Sequence, residues 1–337
     1  MKINRRYLAI TAALATLLAG AGFSAPSLAQ ATSTSSGQAF PHKPIRLVVA
    51  FGNGSVNDLT ARDIARYMTE SLGQPVVVDT RVGGGGSIAT DIVAKAAPDG
   101  YTIGLGTSSQ LVMNVGLIKT LPFDVDKDLR SIGLVARTPT VMVANTSMPK
   151  TLKEVVAYAK ANPGKVTYGS AGTGAVNHIF GAAFARAADI SLLHVPYKGS
   201  GAALIDLSGG HINLLLDSLV STAPIAQQGR AHLLAISSAR RSPAAPDLPT
   251  FAELGFPTME AFTWNNLFAP AKTPDDIIKK LNAALNKALA EQGVKDRLAQ
   301  GASENLGPST PAQADAFGAL QRAKWVPFIR ALKIDVN

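Results

Sequence analysis

Short apolar runs rich in β-branched residues alternate with stretches of helical spacing along most of this chain, and that alternation narrows the possible folds more than any other feature. Ile45-Arg46-Leu47-Val48-Val49-Ala50-Phe51 reads as a strand. Residues 57–71 then carry apolar side chains at helical spacing (Leu59, Ile64, Tyr67, Met68) until Gly73-Gln74-Pro75 stops them. Val76-Val77-Val78 is the next strand, followed by a helix over 87–97 and a strand over 101–105. Further strands are expected at 141–144, 166–168, 192–195, 212–216 and 232–236, with helices at 151–161, 174–188, 199–207 and 220–227. Such repeated alternation implies an α/β fold with parallel sheets covered by helices on both faces. After Phe251 the pattern turns mainly helical, most clearly over 275–292. A helical tail after a second set of strands suits a bilobed protein whose chain crosses back to its first lobe; two consecutive domains satisfy the same pattern.

The N-terminus points to export. Lys2, Arg5 and Arg6 precede a mostly Ala/Leu stretch from Tyr7 to Gly22, and small-x-small sites follow at Ser27-Leu28-Ala29 and Ala29-Gln30-Ala31. A basic region, a short apolar region and a cleavage site together read as a secretory signal peptide, cleaved near Ala29 or Ala31. The apolar run is shorter than the roughly 20 residues a spanning helix needs. Arg5-Arg6 leaves the twin-arginine route open beside the general one. Residues 30–39 are Ser/Thr-rich and read as a flexible leader. The chain has no Cys, so neither a lipid-bearing cysteine nor a disulfide is available, and the fold must rely on its core. A mature chain of about 300 residues is long for one core and comfortable for two α/β lobes.

The formal charge is +9, and three of those positive charges leave with the signal. The remaining Lys and Arg are scattered beside acids, as in Lys153-Glu154 and Lys295-Asp296-Arg297, with no basic run interleaved with aromatics. Nucleic-acid binding therefore has no footprint here. A mildly positive surface favours an anionic solute instead.

Three glycine-rich loops follow strands and precede helices, where open α/β sheets collect their ligands. Phe51-Gly52-Asn53-Gly54-Ser55-Val56-Asn57-Asp58 offers backbone N–H groups and a helix end to an anion, or is an ordinary turn capped by Asn57 or Asp58. Tyr168-Gly169-Ser170-Ala171-Gly172-Thr173-Gly174, with Asn177 and His178 just beyond, makes a second cradle of small residues and hydroxyls. It lacks the Lys-Ser/Thr ending of a phosphate loop and does not match the dinucleotide glycine pattern. Val82-Gly83-Gly84-Gly85-Gly86-Ser87 reads as a hinge or a mobile turn. No G-x-S-x-G elbow is present, and the five His (42, 178, 194, 211, 232) show no metal-binding spacing. No cofactor, metal or catalytic constellation is expected.

Four ordered segments resemble the extracytoplasmic receptors of tripartite tricarboxylate transporters, the Bug-type binding proteins. They are Pro44 to Val49 with Phe51, Gly54, Asp58, Ala61 and Arg62; Gly83 to Ser87 with Val93 to Thr102; Gly169 to His178 with His194-Val195-Pro196-Tyr197-Lys198-Gly199; and Asp247 to Thr250 with Glu253-Leu254-Gly255, Trp264, Ala269-Pro270 and Thr273-Pro274. The resemblance implies a periplasmic-binding-protein-like (Venus-flytrap) fold: lobe one from 40–138 and 251–337, lobe two from 139–250, a ligand cleft between them. It implies a periplasmic, monomeric, non-enzymatic receptor that delivers a small carboxylate to a membrane permease. The implied ligand contacts are Gly54 and Ser55 in lobe one and Ser170, Gly172, Thr173 and Gly174 in lobe two, with Asp58 and His178 bracing the loops. Ser108 and Asp217 are further pocket candidates, Asp217 for the ligand's distal end or as a buried core polar residue. Gly52-Asn53 stands where relatives usually have two prolines, and Ser55 replaces a glycine, which implies a more mobile first loop and leaves distal specificity open. Two alternatives share these residues: an exported α/β hydrolase using Ser170 and His178, and a sensor that presents its bound ligand to a signalling partner.

Overall fold

Strand β1 (Ile45–Val49) shows how the sequence builds two cores at once. Ile45, Leu47 and Val49 enter one apolar cluster while Val48 enters another on the opposite face, so the strand is buried on both sides. That is what a continuous β-branched run produces when side chains alternate across a sheet covered on both faces. The computed structural model describes residues 39–50 and 56–334; the expected signal peptide, most of the leader, Gly54 and Ser55 lie outside the described residues.

The first lobe continues with α1 (Val56–Leu72), β2 (Val76–Thr80), α2 (Ser87–Ala94), β3 (Thr102–Thr107) and the short helices α3 (Asn114–Leu117) and α4 (Val125–Asp128). Gly73, at φ +67°, ends α1 as a left-handed residue, its N–H reaching back to Thr69 O. β4 (Leu129–Asn145) then runs out of this lobe into the second. There lie α5 (Leu152–Ala161), β5 (Val166–Ser170), α6 (Val176–Ala187), β6 (Leu192–Pro196), α7 (Ser200–Ser208), β7 (Leu214–Ser218), α8 (Leu219–Gln227) and β8 (Ala231–Ile236). β9 (Phe262–Pro270) brings the chain back, followed by α9 (Asp275–Ala290), α10 (Gln292–Gln300), β10 (Glu304–Asn305) and α11 (Pro311–Ala331). The capping boxes Thr151/Glu154 and Thr310/Gln313 fix the starts of α5 and α11.

The strands follow the order β2-β1-β3-β9-β4-β7-β5-β6, with β8 and β10 also paired to β4. β1, β2 and β3 are parallel, as are β5, β6 and β7. β9 pairs antiparallel with β3 and β4, and β4 pairs antiparallel with β7 and β8, so the sheet is mixed rather than wholly parallel. The first part of β4 joins β9 and β10, and its last residues join β7 and β8; one strand thus belongs to both lobes. Two sequence expectations change here. The strand expected at 141–144 extends back to Leu129, and the mainly helical return contains the nine-residue strand β9. In both cases long-range pairing makes a strand of residues whose local pattern is broken by Thr, Pro and Asn.

Both lobes lie within one compact unit, Ala39–Asn337. The first core packs β1 and α1 against Leu281 and Leu285 of α9. The larger cluster joins the lobes: Trp325 of α11 meets Phe180 of α6 with ring centroids 5.0 Å apart. Among the described residues no helix is long and apolar enough to cross a membrane.

Candidate functional site

The parallel strands of each lobe deliver their C-terminal ends to a common cleft. Thr107 ends β3 and leads into a π-helical turn at Ser109–Met113; Ser218 ends β7 and caps α8, accepting from Ser221 N at 3.3 Å. A cavity of about 450 Å³ lies there. Asn57, Thr60, Ser108 and Ser109 face it from lobe one, and Ala175, Val176, Asn177, Ser200, Asp217 and Ser221 from lobe two. Thr138, Pro139 and Thr140 of β4 and Thr263, Trp264 and Asn265 of β9 complete its walls. A cleft at the carboxyl ends of strands is where such sheets bind ligands.

The electrostatics come from the backbone. Among the described residues lining the cavity there is no Lys, Arg or His. Instead the starts of α1, α6, α7 and α8 face it, each presenting first-turn N–H groups that have no intrahelical carbonyl. The starts of α6 and α7 carry no side-chain cap, their N-caps being Ala175 and Gly199, whereas Ser218 caps α8. Ser108, a residue 1% exposed, adds a hydroxyl that has no hydrogen-bond partner among the described residues. Asn265 Nδ2 donates to Asn57 Oδ1 at 2.9 Å, tying the first turn of α1 to β9.

The loop before α6 is held from beneath by two stacked imidazoles. Ser170 Oγ donates to Gly172 O at 2.9 Å, accepts from Gly172 N at 3.1 Å and lies 2.6 Å from His194 Nε2. With its hydrogen on Gly172 O, Ser170 accepts from the Nε2–H form of His194; the other tautomer takes that hydrogen instead. His178 Nδ1 accepts from Gly174 N at 3.0 Å, which places the proton of His178 on Nε2. The two rings are 3.7 Å apart and parallel within 2°. Burial, and then the neighbouring His194, push His178 down to about 4, and burial lowers His194 as well. Asn177 Oδ1 accepts from Ala171 N at 3.1 Å and closes the loop's first turn. Gly172 adopts φ +143°, a backbone state that favours glycine.

The residues singled out from sequence fall into distinct places. Ser108 and Asp217 line the cavity. Ser170, Gly172, Gly174 and His178 bond to one another, or to His194, behind it, so the Gly172 and Gly174 amides are already engaged. Thr173 is exposed and outside the lining. Asp58 is buried and pairs with Arg62 at 3.0 Å within α1. Sequence reasoning named Asn177 beside the second loop without giving it a role, and passed over the α6 amide at Val176 and the part played by His194. Only the position of Val176 and Asn177 directly after a glycine loop gave a local signal for them.

The hydrolase alternative fails on this geometry. Ser170 pairs with His194 rather than His178, is 0% exposed and does not line the cavity. Among the described residues no carboxylate bonds to either imidazole, so the third member of a triad is missing as well. A larger cavity of about 800 Å³ sits beside Arg137, Arg240 and Arg241. Arg137 is spent on Glu304 and Arg241 on Glu253, and no helix N-terminus opens onto that space. The cleft between the strand ends is the candidate site.

Comparison with known proteins agrees with this architecture. The sequence profile of the tripartite tricarboxylate transporter family receptor matches residues 60–334. A UPF0065 protein in the tcbD-tcbE intergenic region of Pseudomonas sp. (strain P51) is 38% identical over 315 residues, covering 92% of this chain and 93% of that protein. Among solved structures, the periplasmic binding protein BugD is 32% identical with a TM-score of 0.73, covering 88% of this chain and 99% of its own. MatC from Rhodopseudomonas palustris with bound malate is 31% identical, with a TM-score of 0.74 and coverage of 86% and 100%. A second R. palustris protein, solved with adipate, is 30% identical, with a TM-score of 0.76 and coverage of 88% and 99%.

Proposed function

This chain belongs to the tripartite tricarboxylate transporter receptor family, and on that premise we propose that it captures a small carboxylate in the cleft and delivers it to a membrane permease. The family consists of periplasmic solute-binding receptors rather than enzymes. The observation that carries the carboxylate reading is the uncapped start of α6 lining the same cavity as a buried Ser108 hydroxyl that has no hydrogen-bond partner among the described residues, with no cationic side chain in the described lining. Stripping water from a carboxylate is costly unless preplaced donors replace it, and helix-end amides plus a hydroxyl are such donors. Malate in MatC and adipate in the second R. palustris protein fit the same ligand class.

In this reading the two lobes close on the ligand about the shared strands β4 and β9. Ser170 and His178 hold the second loop in shape. Residues 1–29 act as the export signal, and the mature protein works in the periplasm as a monomer. Mature protein melted with a panel of mono- and dicarboxylates tests the proposal. A true ligand at a hundredfold excess over its dissociation constant adds about 2.7 kcal/mol of stability. If no carboxylate raises the melting temperature, the reading is wrong.

A further inference from the structure

We propose that Asp217 makes this receptor select carboxylates whose far end carries a hydrogen-bond donor, an ammonium or a hydroxyl, over dicarboxylates of the same length. The proposal rests on the carboxylate reading of the cleft and adds the chemistry of the ligand's other end.

Asp217 stands at the end of β7 and faces the cavity from lobe two. Its Oδ1 accepts from Ser218 N at 2.7 Å, while its Oδ2 is shut off from solvent and has no hydrogen-bond partner among the described residues. A carboxylate next to a helix start commonly serves as the cap, but that task is already taken. Ser218 caps α8 itself, and its Oγ lies 2.8 Å from Ser221 Oγ. One carboxylate oxygen is therefore left over beside a ligand cavity. A buried acceptor without a donor is a costly arrangement, and a ligand that supplies the donor removes the cost.

The charge balance of the cavity points the same way. No Lys, Arg or His lines it among the described residues. A dicarboxylate would bring its second negative charge into a space that already holds Asp217, with no cation among the described lining residues to balance the two. An ammonium meets an opposite charge there, and a hydroxyl meets a free acceptor. The Ser200 hydroxyl at the start of α7 interacts with the Asp217 carboxyl, but burial outweighs it and holds the group above the usual carboxylate range.

Isothermal titration of the mature protein with straight-chain carboxylates of about three to six carbons tests the proposal, each length ending in methyl, hydroxyl, ammonium or a second carboxylate. At the best chain length the hydroxyl or ammonium member should bind about tenfold tighter than the dicarboxylate, and Asp217→Asn should erase or reverse that ranking. A dicarboxylate that binds tightest to the wild type overturns the assignment of Asp217 and leaves the carboxylate cleft standing. An unchanged ranking in a folded Asp217→Asn protein does the same. Failure of every carboxylate, the methyl-ended ones included, overturns the cleft reading together with this one. The wild-type ranking decides the matter even if the variant does not fold.

Discussion

The stacked imidazoles under the α6 loop should write a measurable pH dependence into the stability of this protein. His178 is held near 4 in the folded state against an ordinary 6.5. A base whose folded pKa is depressed is protonated more readily in the unfolded chain, so the unfolded state takes up the extra proton between those two values. Stability is therefore complete above pH 6.5 and is lost progressively as the pH falls to about 4. The shift corresponds to roughly 3 kcal/mol at 1.36 kcal/mol per pH unit, or about 6 °C in melting temperature for a chain of this size. The physical reason is local: a proton on Nδ1 ends its acceptance from Gly174 N and places a charge 3.7 Å from the His194 ring. His178→Asn is the informative change, because its amide oxygen replaces the acceptor without titrating. Urea melts of wild type and variant at pH 7, 5.5 and 4.5 should converge toward the acid end as the wild type loses its advantage. Parallel pH profiles for the two proteins would refute the reasoning.

Three further substitutions probe the cleft and its support. Val176→Pro removes one α6 amide while suiting the first helical position, since Ala175 already has the extended backbone (φ −63°, ψ 157°) that precedes proline. Ligand affinity should fall about tenfold by titration with little change in melting temperature, because a hydrogen bond to a charged group contributes about 1.5–3 kcal/mol. Ser108→Ala should also weaken binding, yet leave the unliganded protein as stable as the wild type, because the Ser108 hydroxyl has no partner to lose among the described residues. Gly181→Ala puts a methyl group into the Tyr168 ring, which packs beside His178 and His194. It should cost about 1–3 kcal/mol in a urea melt, the usual range for overpacking a core.

Much of the architecture was legible because its signals are local. The β-branched runs at 45–49 and 76–78, the Gly73 stop and the glycine loop before α6 each state their conformation within a few residues. β4 and β9 were not, and the reason lies in particular side chains. Thr138-Pro139-Thr140 interrupts the apolar pattern where β4 passes between lobes, and Asn265-Asn266 interrupts β9. Asn266 is nonetheless buried, because its Nδ2 reaches Ser131 Oγ at 2.8 Å across 135 residues. The site divides in the same way. Position after a strand pointed to Ser108 and Asp217, whereas the use of the Gly174 amide by His178 and the pairing of Ser170 with His194 depend on tertiary contacts. The family resemblance supplied the lobes and the ligand class; it did not supply which amides remain free.

The central claim is that a carboxylate is held between the lobes by helix-end amides and hydroxyls rather than by a cationic side chain. A crystal structure of the mature protein with its tightest-binding carboxylate tests this most directly. The carboxylate should lie within hydrogen-bond distance, directly or through one ordered water, of the first-turn amides of α6 and the Ser108 hydroxyl. A ligand seated instead in the cavity beside Arg137 and Arg240, with its carboxylate on a guanidinium, would contradict it.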